Sequence, residues 1–335
     1  METAHIPHLA VRRFLRYSGA MFRFERRPCG TRGLEVSRLG LGGAALGRGP
    51  ATSSADENGA RTLEAAYALG IGHVDTSPLY GESERRLGIA LRRNEFADLR
   101  ISTKVGTHPS RQFSYTRSDL RWSLKNSLSV LGRDHVEIAL IHDPCSYDEI
   151  SSPGDGFDAL RELRDEGLCL NTGLGVQSHE FHRRAIDAGV VDVILTYGDF
   201  NIVRRSGAVL MRHAKASGVG VLLGSPMMHG FLASGEEPAT AIARRPELLT
   251  WYTEHDVAVA QEWFVWCRER EVSMRHLNMR FVMSSDLPDC VLTGAATPAE
   301  LQENVREATT PIPDDVWREA LDRIEELDRE SGATG

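Results

Sequence analysis

From about residue 37 onward, short runs of β-branched or leucine-rich positions alternate with longer stretches whose apolar residues recur every three or four positions. The short runs predict strands over 38–42, 72–75, 100–104, 136–142, 171–176, 191–196, 219–223 and 290–293. The stretches between them predict helices over 57–69, 116–131, 157–166, 179–188, 204–217 and 298–308, and a last amphipathic helix over 314–330 packed outside. In the first, Leu63, Ala66 and Leu69 share a face; the second opens on Thr116 with Asp119 three positions later, an N-terminal capping signal. Gly70, Gly167, Gly189 and Gly218 stand where a left-handed residue would stop a helix. A short hairpin is predicted over 22–36, turned by Cys29-Gly30 and Arg32-Gly33. Residues 224–255, rich in Gly, Pro and His, follow the seventh strand as a long loop and are expected to form a lid or substrate loop.

Eight strand–helix units without a long polar break imply a closed parallel sheet or an open, doubly wound one. An open nucleotide-binding sheet carries GxGxxG after its first strand and opens a helix there. Residues 39–49, LGLGGAALGRG, fit that pattern loosely, yet no capped helix opens at that point. The closed (β/α)₈ TIM barrel, with an N-terminal hairpin and a C-terminal helix, is therefore the expected fold. The 335 residues suit a single barrel domain over 21–335. Residues 1–20 are Arg-rich and poor in acids; they are read as a disordered extension, with a transit peptide or a surface-binding helix as the alternative.

Composition removes several classes. At 41% hydrophobic and 26% charged, the chain is an ordinary globular one. Its net charge of −8 gives no electrostatic reason to expect nucleic acid or an anionic membrane as partner. No apolar run approaches the ~18 residues of a membrane span. Five cysteines lie singly, without a CxxC pair, which suits reduced thiols in a cytoplasmic enzyme and neither a disulfide framework nor a zinc site.

In a barrel the reactive face is the rim at the strand C-termini. There the second strand delivers Asp75, with Tyr80 close behind; the third delivers Lys104 and the fourth His142. Lys104 is one of three lysines in a chain that otherwise uses Arg for positive charge. An ammonium paired with Asp75 and set ~4 Å from Tyr80, at an effective dielectric of ~20, is worth ~4 kcal/mol to a phenolate before desolvation is subtracted. On that reasoning Lys104 brings the phenol toward proton transfer near neutral pH.

The motifs D-T-S-P-L-Y-G, S-T-K-V-G and I-H-D-P, in this order, resemble the aldo-keto reductase superfamily over residues 34–304. The resemblance implies a catalytic set of Asp75, Tyr80, Lys104 and His142, with NAD or NADP as cofactor and a small carbonyl or sugar as substrate. V-D-V-I-L-T-Y followed by G-V-G-V-L-L-G-S-P-M-M-H-G is similar to the branch of aldose and galactose 1-dehydrogenases. By that likeness Tyr197 stacks on the nicotinamide, with Gly43 and Asp75 also on the cofactor. Ser225, Met227 and Gly230 lie along the pyrophosphate, and Gly294, Ala295, Thr297 and Asn304 hold the adenosine end. Gln177 and Ser178 stand where the family has Ser-Asn on the carboxamide. Gly294 and Glu300 stand where NADP-preferring members carry Lys and Arg, so NAD is the expected cofactor. Two other readings compete: a regulatory barrel that binds the nucleotide with incidental turnover, and a metal-assisted hydrolase using His73, Asp75 and His142.

Overall fold

A computed structural model describes residues 23–93, 96 and 98–330; the predicted extension over 1–20 lies outside them. The chain opens with an antiparallel hairpin, β1 (Arg26–Pro28) and β2 (Glu35–Ser37), and eight parallel strands follow. These are β3 (Leu39–Gly42), β4 (His73–Asp75), β5 (Arg100–Val105), β6 (Val136–His142), β7 (Cys169–Gly175), β8 (Val193–Tyr197), β9 (Gly220–Gly224) and β10 (Cys290–Gly294). They close into a barrel because β10 pairs with β9 on one side and with β3 on the other. All eight predicted barrel strands are present, with ends displaced by two residues or fewer.

Two apolar layers hold the barrel. Ile138, Leu140, Val193, Leu195, Leu222 and Leu292 fill its interior, and Cys29, Leu34 and Val36 of the hairpin close the end away from the rim. Gly30 is required there. It has φ +74, and a Cβ on it would stand 2.8 Å from the Asp192 carbonyl oxygen at the foot of β8. The second layer lies between strands and helices and includes Leu63, Leu87, Leu124, Leu160, Leu277 and Leu301. Burying each such leucine contributes roughly 1.5–3 kcal/mol.

The predicted helices form as α1 (Ser53–Ala68), α3 (Arg117–Leu131), α5 (Gly156–Asp165), α6 (His179–Asp187), α7 (Gly207–Ala216), α11 (Pro298–Thr309) and α12 (Asp314–Glu330). The structure adds α2 (Ser83–Arg93) and the single turn α4 (Asp148–Ser151). The face that α2 buries carries Ser83, Glu84 and Arg86 beside Leu87 and Ala90. Arg86 is buried because its guanidinium donates to the carbonyls of Leu46, Arg48 and Pro50. The expected long loop after β9 is largely ordered into a 3₁₀ turn (Met228–Gly230), α8 (Pro238–Arg244) and a second 3₁₀ segment (Pro246–Thr250). Helices α9 (Glu254–Glu269) and α10 (Met274–Ser284) then lead back to β10. Among the described residues no helix is long and apolar enough to cross a membrane.

Candidate active site

Asp75 ends β4, and its carboxylate is fixed from inside the barrel. Lys104 on β5 donates from Nζ to Oδ1 at 2.7 Å and to Oδ2 at 2.6 Å, and to the Thr76 carbonyl at 2.9 Å. Ser102, two residues earlier on the same face of β5, donates to Oδ1 at 2.7 Å. Both partners of the ion pair are buried, Lys104 being 1% and Asp75 3% exposed. The ammonium thus occupies the side of Asp75 that a divalent cation would need. Burial alone would lower the Lys104 pKa, but the charges and hydrogen bonds of Asp75 and Tyr80 more than offset it, and the net shift is upward. Gly43 donates its amide to the Asp75 carbonyl at 2.7 Å; a Cβ there would stand 2.7 Å from that oxygen and 2.6 Å from Ser83 Oγ. Any larger residue would push β4 away from its neighbour.

Tyr80 sits in the tight turn between β4 and α2, where its amide bonds to the Ser77 carbonyl and its carbonyl accepts from Ser83. Its ring lies with the centroid 4.9 Å from Lys104 Nζ and 6.0 Å from the His142 ring, edge to face. The ammonium is therefore in contact range of the phenol, as the sequence requires. The expected fall of the Tyr80 pKa toward neutrality does not occur in the free protein. Burial raises it by more than the Lys104 charge lowers it, and Asp75 and Asp143 add to the rise. Tyr80 consequently holds its proton at physiological pH, which is the form needed to donate it.

His142 ends β6 and is 4% exposed. Its Nδ1 lies 2.7 Å from Thr107 Oγ1, and its carbonyl accepts from the Tyr115 hydroxyl at 2.8 Å. Burial, with a smaller push from Lys104, lowers its pKa to about 3. A neutral imidazole can donate one N–H without importing charge, and Thr107 on Nδ1 leaves Nε2 facing the cleft to do so. His73 and His182 are likewise pushed down by burial, to about 3 and about 4. In NMR titrations the Cε1 protons of His73, His142 and His182 should not titrate between pH 8 and 5. A midpoint near 6.5 for His142 would show an ordinary, chargeable imidazole.

A cleft of about 650 Å³ opens on these groups. Asp75, Tyr80 and His142 line one part of it, and Gly43, Tyr197, Ser225, Met227, Gly230, Gly294 and Asn304 of the expected cofactor set line the rest. Lys104 lies behind this lining, and four residues of the expected cofactor set do not line the cleft either. Gln177 stands half-buried after β7, and Ser178 caps α6 by accepting from Phe181 N. Ala295 is fully buried, and Thr297 caps α11 by accepting from Glu300 N. Ser225, Met228 and His229 adopt positive φ of 48°, 48° and 53°, a backbone state that non-glycine residues keep only when their surroundings enforce it. Those surroundings are Asn278 of α10, which donates to the Pro226 carbonyl, and Arg245, which donates to the His229 carbonyl. Arg275 also lines the cleft, bonded to Asn304 Oδ1 at 2.7 Å and paired with Glu303 at 2.8 Å. Thr107, Asn278 and Arg275 escaped the sequence reading, since no strand-end position or motif marks them.

A buried ammonium–carboxylate pair, a phenol and a neutral imidazole are thus gathered at the mouth of a parallel barrel, a set able to hold and pass on a proton. The chain belongs to the aldo/keto reductase family, whose sequence pattern matches residues 38–326. It is 30% identical over 318 residues to L-galactose dehydrogenase of Arabidopsis thaliana, covering 92% of this chain and 95% of that protein. It is 28% identical over 313 residues to D-threo-aldose 1-dehydrogenase of a Pseudomonas species, covering 86% and 94%. The solved aldo-keto reductase of Bacillus halodurans superposes with a TM-score of 0.67 over 90% of this chain and 96% of its own, at 20% identity, a likeness of fold alone.

Proposed function

We propose that this chain interconverts a small carbonyl compound and its alcohol, or a sugar hemiacetal and its lactone, with a nicotinamide dinucleotide as partner. The observation that carries the reading is the contact of buried Lys104 with both Asp75 and the Tyr80 ring, which together with His142 line one cleft. The nicotinamide, when bound, supplies or accepts the hydride. In reduction Tyr80 donates its proton to the substrate oxygen while His142 Nε2–H orients that oxygen. In oxidation the same phenol, ionised, removes the hydroxyl proton, and Lys104 stabilises the phenolate. The relatives named aldose and galactose dehydrogenases favour sugars as the substrate class.

The cleft suits a dinucleotide. Gly42, Gly43, Gly224, Gly230 and Gly294 line it, so backbone can approach a bulky ligand closely, and Tyr197 offers a half-buried ring. Where Glu300, Arg275 and Asn304 line the cleft, their polar groups are already committed. Glu300 accepts from Ala296 N, and Arg275 is already neutralised by Glu303. A 2′-phosphate there would meet the Glu300 carboxylate and an arginine that is already paired, so NAD is the proposed cofactor. Following absorbance at the reduced-nicotinamide band with aldoses and aldehydes, in both directions, tests the reaction. Comparing kcat/KM for the two cofactors tests the preference. NAD is expected to win by about tenfold or more, or ~1.4 kcal/mol; an NADP preference of that size would mean that Arg275 releases Glu303 to take the phosphate.

A further inference from the structure

Asp143 follows His142 directly within the I-H-D-P motif, and no role was assigned to it there. Its backbone has φ +42, in the left-handed region that costs an aspartate free energy unless the site enforces it. That backbone turns the carboxylate back along the rim and into the cleft, where its side chain is 39% exposed. One oxygen, Oδ1, accepts from the Tyr197 hydroxyl at 3.0 Å. The other, Oδ2, lies 3.3 Å from His142 Nε2. An ionised carboxylate offers about four acceptor directions, so these two neighbours leave acceptor capacity facing the cleft.

The position of that spare capacity decides its use. His142 Nε2 points to where the reacting oxygen must sit if His142 is to orient it. Oδ2, 3.3 Å from Nε2, therefore faces the substrate beside the reacting oxygen, within reach of a group on the adjacent carbon. Carboxylates accept hydrogen bonds and donate none, so Oδ2 selects an O–H there and repels a second anion. We propose that Asp143 is a specificity residue that accepts a hydrogen bond from the hydroxyl on the carbon adjacent to the reacting one, making 2-hydroxy carbonyl compounds and the corresponding sugar hemiacetals the preferred substrates. This rests on the functional reading above and narrows it. Simple alkanals, ketones lacking that hydroxyl and 2-oxo acids leave the carboxylate unpaired or facing another anion. Burial already pushes the Asp143 carboxyl upward, and a substrate hydroxyl would offset part of that desolvation.

The test compares substrate pairs that differ only in the one hydroxyl: galactose with 2-deoxygalactose in oxidation, and lactaldehyde with propanal in reduction, each corrected for the hydrated or cyclic form. The unmodified protein is expected to prefer the hydroxylated member by about tenfold or more in kcat/KM, the discrimination typical of a hydrogen bond to a charged acceptor. In Asp143→Ala that ratio should fall to within about twofold of unity. Asp143→Asn, which keeps an acceptor but loses the charge, should retain an intermediate ratio. If Asp143 merely anchored Tyr197, both members of each pair would slow together and the ratio would stand; that result overturns the inference. A ratio near unity in the unmodified protein does the same. Should Asp143→Ala fail to fold, as judged by quenching of tryptophan fluorescence with NADH, the Asp143→Asn ratio decides. Absence of turnover on any pair by the unmodified protein would instead overturn the functional reading, and this inference with it.

Discussion

Tyr80→Phe is expected to lower kcat by about 10²–10⁴-fold in both directions, the usual worth of a positioned general acid or base. Cofactor Kd should change by no more than about twofold. The substitution keeps the ring that packs edge to face on His142 and under the Lys104 ammonium. What it removes is the one proton that the free protein holds ready, on a phenol whose pKa burial raises. In the proposed reaction the hydroxyl acts on the reacting oxygen and not on the nucleotide, so loss should appear in turnover and not in cofactor binding. Single-turnover kinetics and a fluorescence titration of NADH separate the two. A variant retaining more than about a tenth of kcat would assign proton transfer to another group.

Lys104→Met is expected to cost catalysis and stability together. The methionine removes the charge that opposes the burial-driven rise of the Tyr80 pKa, so that pKa should climb further and phenolate become scarcer. Oxidation in the variant should then need a higher pH, its alkaline rise displaced upward relative to the unmodified protein, with kcat reduced by about a hundredfold or more at pH 8. Asp75, buried and bonded to Lys104 through both oxygens, would keep only Ser102 as a side-chain donor. Breaking one partner of such a buried pair typically costs about 3–5 kcal/mol, readable as a lower urea midpoint. The double variant Asp75→Asn with Lys104→Met should recover part of that loss, because it strands no charge. The sign with pH is set by the raised Lys104 pKa. The unfolded lysine titrates near 10.4 and the folded one above it, so the pair stabilises the fold fully below about pH 10 and loses this only as pH rises through the folded value. An additive double variant would uncouple Lys104 from Asp75, and an unmoved alkaline limb would separate it from Tyr80.

The barrel was legible in the sequence because each strand announces itself locally. Val136–His142 and Gly220–Gly224 are short apolar runs bounded by turn residues, and Gly132, left-handed at φ 69, ends α3 as its type suggests. Once strand direction is known, so is the rim, and Asp75, Tyr80, Lys104 and His142 fall on it without further information. The helix α2 was not among the predicted ones, and its buried face includes Arg86 and Glu84, whose partners lie in other segments. The ordering of the segment after β9 was hidden for a similar reason: it depends on Asn278, 52 residues away from the Pro226 carbonyl that it holds.

By itself, then, the order of residues determined the topology and which four candidate side chains the barrel brings together, since both follow from short-range pattern and strand polarity. Only the folded chain decided their chemical states. The Tyr80 phenol stays protonated because desolvation outweighs one nearby ammonium, and His142 stays neutral because it is 4% exposed. Asp143 joins the site because it meets Tyr197 from a position 54 residues earlier in the chain. Desolvation and long-range contact are sums over neighbours in space, which sequence separation does not reveal.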